Sequence, residues 1–279
     1  MSPAALRIVR ASPGLEWRAR HGGQVVGTVS ALVRPDHRCF VFLDACRDDA
    51  AARLLSAVAG ATGGDLHACA EEADEAELAR YARLGFEIGR RESNYLIPTD
   101  PDVTGLPDAG RVPMPPGLAS LTVISALDAD EDRLRLLDDA LQQDVPGADG
   151  WRWDAPGFRQ ETFGEDFDPA TYLVAADQAS GEYVALVRVW ITPGRPRLGL
   201  IAVLAPFRRR GLARALLGQA LGVLHERGDG QVSAEVDDTN AASATLLTGL
   251  GARRTGGSVE LIRRRGPAAR RRSAIGEVG

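Results

Sequence analysis

Residues 207–217, FRRRGLARALL, join three consecutive arginines, a glycine and a run of good helix formers directly after the apolar segment 198–206. The first turn of a helix has unpaired backbone N–H groups and a partial positive charge, so an anion there accepts several hydrogen bonds at once. Glycine allows close approach of the backbone, and arginine suits phosphate oxygens. Because three arginines at a helix start oppose the helix dipole unless an anion is bound, the pattern favours a phosphate-binding turn over a merely solvated helix end.

The elements around this turn alternate between strand and helix, which predicts an α/β fold. Apolar and β-branched runs predict strands at 121–128, 171–177, 183–191, 197–204, 231–237 and 258–264. Helical spacing predicts helices at 131–144, 212–227 and 240–251. Asp128 or Asp130 is expected to cap the first of these helices, and Gly228 is expected to end the second.

The spacing Arg208-x-x-Gly211-x-Ala213 resembles the R/Q-x-x-G-x-G/A motif of the GNAT acyltransferase superfamily. As in that motif, the turn follows a strand, here ending at Val203 and Leu204. A further strand then leads to Asn240, and the order of elements covers residues 171–264.

The resemblance implies that acyl-CoA, with acetyl-CoA as the expected donor, is a co-substrate and that no metal takes part. In this family the acyl-CoA lies between two parallel strands that splay apart, here 198–204 and 231–237. The backbone of Ile201, Ala202 and Val203 would bind the pantetheine arm. The residues expected to hold the cofactor's other parts are Arg208, Arg209, Arg210, Gly211, Leu212, Ala213, Asn240 and Ser243.

The same resemblance implies direct transfer of the acyl group to an amine. The Val203 N–H would stabilise the oxyanion of the tetrahedral intermediate. A carboxylate must accept the amine proton, and Glu235 is the first candidate, followed by Asp237 and Asp238; a surface-facing role for Glu235 stays open. The tyrosine that often protonates the departing thiolate is replaced by Leu247, so water, another residue or unaided departure must serve.

The first half of the chain resembles a degenerate copy of the same domain. Residues 78–86, LARYARLGF, match the family ending, whereas Asp48, Asp49 and Ala50 stand where the second half has Arg209, Arg210 and Gly211. Carboxylates repel a pyrophosphate, so this half is expected to bind CoA weakly or not at all. The tandem form resembles actinobacterial two-domain GNAT proteins of the mycothiol synthase kind.

The predicted organisation is two tandem GNAT-like domains, each a mixed sheet flanked by helices. The boundaries place a degenerate domain at 1–97, a linker rich in proline and glycine at 98–117, an acyltransferase domain at 118–264 and an arginine-rich tail at 265–279. For the tail, a solvated disordered segment and a tether for an acidic partner both stay open.

The acceptor side is expected in the segment between residues 138 and 163, where carboxylates alternate with aromatic residues. Such a mixture suits a cation, although an acidic solvated helix with core tryptophans fits equally. The acidic residues are Asp138, Asp139, Asp144, Asp149 and Asp154. The residues predicted to contact the acceptor are Asp144, Trp151, Trp153 and Tyr172.

The composition restricts the function further. The net charge of −5 argues against general nucleic-acid binding, although all 33 basic residues are arginine. Three cysteines in no metal-binding pattern, no signal-like start and no long apolar run predict a cytoplasmic protein outside the membrane, a monomer or homodimer. Together with the composition, the resemblance to the GNAT superfamily implies an N-acyltransferase acting on a small-molecule or peptide amine. A non-catalytic acyl-CoA-binding module and a protein-lysine acyltransferase stay open.

Overall fold

The structure is a computed structural model that describes residues 5–11, 14–44, 47–106, 114–148 and 150–265. The chain divides into two compact units. The first unit comprises Met1–Arg91 with Gly257–Gly279, and the second comprises Glu92–Gly256. Each unit contains a mixed sheet with helices against it, as the sequence predicts.

In the first unit the strand order is β1-β2-β3-β4-β5, followed by the final strand β12 (Arg253–Arg263) beside β5. The strands that lie wholly in it are β1 (Arg7–Ala11), β2 (Glu16–His21), β3 (Gln24–Val33), β4 (Cys39–Asp44) and β5 (Leu66–Glu71). Its helices are α1 (Asp48–Thr62) and α2 (Glu75–Arg83). One apolar core joins them, and it includes Leu54 and Leu55 of α1 together with Val259 and Leu261 of the final strand.

In the second unit the strand order is β6-β11-β10-β9-β8-β7, where β6 spans Glu87–Pro98. The strands that lie wholly in it are β7 (Leu121–Ser125), β8 (Tyr172–Asp177), β9 (Tyr183–Trp190), β10 (Arg197–Val203) and β11 (Gln231–Asp237). Its helices are α3 (Pro101–Thr104), α4 (Glu131–Gln142), α5 (Ala155–Thr162), α6 (Leu212–Glu226) and α7 (Ala241–Thr248). Asp130 caps α4, since its carboxylate accepts the Arg133 N–H at 2.9 Å.

Two strands, β6 (Glu87–Pro98) and β12 (Arg253–Arg263), contribute to both units. Residues 92–98 of β6 pair antiparallel with β11 in the second unit, and residues 258–263 of β12 pair antiparallel with β5 in the first. The predicted boundaries at 97 and 264 differ from this division because they follow local composition. Which strand a terminal segment joins depends on hydrogen bonds between residues far apart in sequence.

The predicted linker and tail are only partly described. Residue 98 ends β6, α3 follows, and Leu106 is buried in the second unit. Residues 107–113 and 266–279 lie outside the described part of the chain, and so does most of the predicted tail. Within the described part, none of the helices is long and apolar enough to cross a membrane.

A buried carboxylate holds β12 in the first unit. Glu260 is 6% exposed and lies 2.8 Å from His67 Nδ1. It accepts hydrogen bonds from Arg90 Nε at 2.8 Å and from Arg38 at 3.3 Å. Burial raises the pKa of Glu260, but the His67 hydrogen bond and the charges of Arg90 and Arg38 outweigh it and hold that pKa at about 2.

The sheet of the second unit has a core on each face. Helices α6 and α7 cover one face, where Leu216 and Leu221 of α6 pack against Val232, Ala234 and Val236 of β11. Helices α4 and α5 cover the other face, together with residues such as Leu200 and Ala202 of β10. The two faces separate the candidate functional groups described below.

Candidate functional site

The parallel strands β10 and β11 of the second unit pair only where they begin. Arg197 and Leu198 are in register with Ser233 and Ala234, and no pairing between the two strands continues beyond that point. The Leu204 N–H donates to Val184 O of β9 at 2.9 Å. Because N–H groups alternate between the two edges of a strand, those of Val203 and Ile201 are directed to the opposite edge, which faces β11. The backbone N–H of Ala202, which was predicted to bind the pantetheine arm together with Ile201 and Val203, is directed toward β9.

Helix α6 follows β10 after the turn formed by residues 204–211, and it has no side-chain cap. Gly211, at the N-cap, adopts the left-handed conformation with φ of 84°, and Arg209 also has a positive φ of 62°. The turn therefore directs the N–H groups of the first turn, which include those of Leu212 and Ala213, away from the helix body. An uncapped helix N-terminus of this kind has the geometry to donate hydrogen bonds from its N–H groups to an anion.

The three arginines of the turn lie in different surroundings. Arg208 Nε donates to Val203 O at 2.7 Å, and the guanidinium also bonds to the Asp144 carboxylate. Arg210 donates to the carbonyl of Gly117. Arg209 is exposed and forms no hydrogen bond or ion pair with the residues that the structure describes, so its charge is available to an anion.

A β-bulge interrupts β10 at Gly199, where the register with β9 shifts between Leu198 and Leu200. The indole of Trp190 covers Gly199 on the face of α4 and α5. The guanidinium of Arg188 lies 4.9 Å from the Trp190 ring centroid, and that of Arg197 lies 5.3 Å from it. No sequence motif marks Gly199, Trp190, Arg188 or Arg197 as a group, because their proximity depends on strand register.

Glu235 lies near this tryptophan. Its neighbours in β11 alternate into the α6 core, so Glu235 is on the opposite face, which also carries α4 and α5. It is exposed, and it accepts a hydrogen bond from Arg197 at 2.6 Å. Asp237 is used in the following turn, where it accepts from the Thr239 N–H at 2.8 Å. Asp238 accepts from Ser93 Oγ at 2.6 Å.

The start of α7 contains the predicted asparagine. The Asn240 side chain caps the helix by accepting the Ser243 N–H at 3.1 Å. This contact occupies the side-chain oxygen and leaves its NH₂ group as a donor. Leu247, at the position of the family's tyrosine, is only 1% exposed and packs in the α6 core.

Two adjacent aspartates of α4 organise the predicted acceptor segment from within. Asp138 is fully buried, binds Arg188 at 2.8 Å and accepts from Trp153 Nε1 at 3.0 Å. Asp139 accepts the Trp153 backbone N–H at 2.9 Å. Burial lowers the pKa of Arg188, but the interactions with Asp138 and Tyr172 together outweigh it and raise that pKa above its ordinary value. These two carboxylates therefore hold in place the loop that contains Trp151 and Trp153, which we call the tryptophan loop.

The other predicted acceptor residues differ in accessibility. Trp151 is partly exposed and packs edge-to-face on Trp153, with 4.4 Å between the ring centroids. Asp144 is exposed and pairs with Arg208 in the turn before α6. Tyr172 is only 1% exposed, so a ligand does not reach it in this structure, and burial raises the pKa of Tyr172 to about 12. Asp149 lies outside the described residues.

The corresponding helix start in the first unit carries two aspartates, Asp48 and Asp49, and both pair with arginines of the same unit. Strands β4 and β5 are again parallel and in register only at their first residues. At the start of α1, however, Asp49 bonds to Arg47 at 3.0 Å, and Asp48 pairs with Arg83 at 3.1 Å. Carboxylates at a helix N-terminus satisfy the helix dipole without an external anion.

Known proteins resemble this chain in sequence over part of its length and in fold over most of it. Residues 135–252 match the model of the acetyltransferase (GNAT) family. A GCN5-related N-acetyltransferase from Sphaerobacter thermophilus is 18% identical with a TM-score of 0.66, over 92% of this chain and 83% of that one. A tandem GNAT protein from the clavulanic acid biosynthesis pathway is also 18% identical, with a TM-score of 0.65, over 95% and 85%. No curated protein sequence matches the chain.

These similarities define a protein with a tandem GNAT fold. The family match covers residues 135–252, in the second half of the chain, and identifies that segment as a GNAT acetyltransferase domain. The activity common to this family is acetyl transfer from acetyl-CoA.

Proposed function

We propose that this protein is an N-acetyltransferase that transfers the acetyl group of acetyl-CoA directly to a primary amine of a small molecule or peptide. The observation that carries the proposal is the open edge of β10, which ends at an uncapped helix N-terminus. That edge supplies backbone N–H groups along its length, and the helix supplies a site for the pyrophosphate.

The residues of the second unit divide the binding task. The first turn of α6 and Arg209 bind the pyrophosphate, while Arg208 and Arg210 hold the turn through Val203 O and Gly117 O. The pantetheine arm lies along the open edge of β10. The Val203 N–H is directed into the same opening, where it stabilises the charge that develops on the thioester oxygen.

Glu235 removes the proton from the acceptor amine. An alkylammonium has a pKa of about 10.4, so a base must deprotonate it before attack. Glu235 is exposed and shares its sheet face with the tryptophan loop. Both carboxylates have a partner, but Glu235 stays exposed beside Arg197, whereas Asp237 is less exposed and is held in the following turn by Thr239.

The CoA sulfur leaves as a thiolate. Leu247 has no acidic proton and lies in the core, so this position offers no general acid. A thiol pKa of about 8.5 makes departure of the unprotonated thiolate chemically acceptable. The direct mechanism needs no cysteine, and all three cysteines lie in the first 69 residues.

The proposal is tested by following CoA release from acetyl-CoA with a panel of primary amines, including a lysine-containing peptide. Acetylation of the nitrogen, identified by mass spectrometry of the product, is the expected result. Turnover with the peptide but with none of the small amines would instead assign a protein-lysine acyltransferase.

A non-catalytic acyl-CoA-binding module is the second candidate, and the buried Leu247 favours it. The same panel separates the two candidates. Tight binding of acetyl-CoA without turnover of any amine would support the module and contradict the enzyme.

A further inference from the structure

The first unit contains a pocket of about 270 Å³ at the C-terminal end of α1. One wall is a face of that helix formed by Ser56, Ala59 and Gly60, which are spaced to lie on one side. The floor is Leu66 of β5. The space is open, since an ideal Cβ on Gly60 or on Gly64 would meet no atom within 4 Å.

Three consecutive arginines, Arg263, Arg264 and Arg265, form the other wall. Two of them have visible partners. Arg264 pairs with Asp65 at 3.0 Å, and the Arg265 backbone N–H donates to the same carboxylate at 2.7 Å. The Arg265 guanidinium donates to the carbonyl of Gly63.

Arg263 is different. The residue is the last of β12, on the face whose members Val259 and Leu261 enter the core. Its NH1 nitrogen is buried and has no hydrogen-bond partner within the described residues. Burial lowers the pKa of Arg263, and no carboxylate counteracts that effect. A buried cationic donor without a partner is costly, which makes such a group a receptor for an anion.

The residues that line the pocket restrict the chemical class of ligand that fits it. No acidic side chain lines it among the residues that the structure describes, and the nearby Asp65 carboxylate is already paired with Arg264 and with the Arg265 N–H. Ala59 and Leu66 present apolar surface beside the arginines. A ligand that fits has one oxyanion group for Arg263 and a small apolar part for the floor.

We propose that this pocket binds a small organic oxyanion, a carboxylate or a phosphate monoester, through the Arg263 guanidinium. The site is separate from the acetyl-CoA site, since all its residues belong to the first unit and it lies at the C-terminal end of α1. It gives the half with the degenerate phosphate turn a binding function of its own.

The test is an NMR titration of the full chain with inorganic phosphate, acetate and benzoate, at constant ionic strength maintained with chloride. The backbone amides of Gly60 and Gly64 report on the pocket, and that of Gly211 reports on the α6 turn. We expect a saturable shift of Gly60 and Gly64 with phosphate or with the carboxylates. The anion class whose shifts saturate at the lower concentration is the preferred ligand class. The difference between the saturating concentrations of benzoate and acetate measures what the apolar ring contributes to binding.

The Arg263→Met variant keeps an unbranched apolar chain and removes the charge. We expect it to weaken the response at Gly60 and Gly64 by at least about tenfold while the Gly211 response is unchanged. Arg253→Met, an exposed change in the same strand, should leave both responses intact. Equal saturable shifts in Arg263→Met and wild type, or shifts that never saturate in wild type, would overturn the proposal.

Gly60→Glu offers a test that does not depend on the stability of Arg263→Met. The new carboxylate can enter the open space and pair with Arg263, in place of the anion. The Gly64 response to phosphate and benzoate should then disappear, whereas Gly60→Ala should retain it. Retention of the full response in Gly60→Glu would contradict the proposed site.

Discussion

The indole of Trp190 occupies the space that a side chain at position 199 would need. An ideal Cβ on Gly199 would lie 2.6 Å from Cζ3 of that ring. The absence of a side chain therefore allows the tryptophan to cover the bulge of β10 and to contact Arg197, the partner of Glu235.

We expect Gly199→Ala to displace the Trp190 ring and to lower the free energy of unfolding by about 1–3 kcal/mol, the usual cost of overpacking. Turnover should also fall, because Arg197 and Glu235 lose their position. Denaturant unfolding and the amine assay measure the two effects. Gly230→Ala, whose new Cβ would meet nothing within 4 Å, is the control, and equal losses in both variants would refute this packing role.

Glu235→Gln should lower kcat by about a hundredfold, the scale of a lost general base, while the affinity for acetyl-CoA stays the same. The amide keeps the shape of the side chain and cannot accept a proton from the ammonium. Steady-state kinetics and calorimetry with acetyl-CoA check the two parts. Glu182→Gln, an exposed change in the same unit, is the control. A kcat unchanged in Glu235→Gln would remove Glu235 from the mechanism.

Asp138→Asn should destabilise the protein by about 3–5 kcal/mol, because it leaves the buried guanidinium of Arg188 without its counter-charge. Since the same carboxylate accepts from Trp153, the tryptophan emission should change as well. Unfolding monitored by fluorescence measures both effects. Asp132→Asn, an exposed change on the same helix, should cost less than about 0.5 kcal/mol. Similar costs for the two variants would show that the buried pair contributes nothing particular.

The ionised Glu260 should make stability fall in acid. Its pKa of about 2 lies below the ordinary value of 4.5, so its contribution is complete above about pH 4.5 and is lost as the pH falls toward 2. The shift corresponds to about 3 kcal/mol. Denaturant unfolding between pH 7 and pH 2.5 should show this loss in wild type and in Glu87→Gln, an exposed control. Glu260→Gln should be less stable at pH 7 and should lose less on acidification, and a parallel decline in all three proteins would contradict this.

The parts of the fold that the sequence predicts are those determined by neighbours along the chain. The arginines and Gly211 are recognisable because the turn that they form is built within six residues, and the Asp130 cap is equally local. Strand β12 is also predicted, but its partner β5 is not, since residues 258–263 pair with residues almost two hundred positions earlier.

The candidate site shows the same limit. Glu235 is proposed as the base from its place in the strand. Its pairing with Arg197 and its nearness to Trp190 depend on the register between β9, β10 and β11, which the sequence does not show. The acidic acceptor segment proves to be of two kinds. Asp138 and Asp139 are buried supports, whereas Asp144 is exposed and bonds to Arg208. Burial of a carboxylate depends on tertiary packing, which composition does not show.

Calorimetric titration with acetyl-CoA is the most direct test of the central claim that the α6 turn binds the pyrophosphate. Wild type should bind with measurable heat, and Gly211→Asp, which places a carboxylate at the uncapped helix start, should weaken binding by at least about a hundredfold. Gly228→Asp is the matched control, because Gly228 has a similar φ of 89° just beyond the other end of the same helix. Binding that is lost in Gly211→Asp and retained in Gly228→Asp would support the account. Folded wild-type protein that gives no heat with acetyl-CoA, or equal affinity in all three proteins, would contradict it.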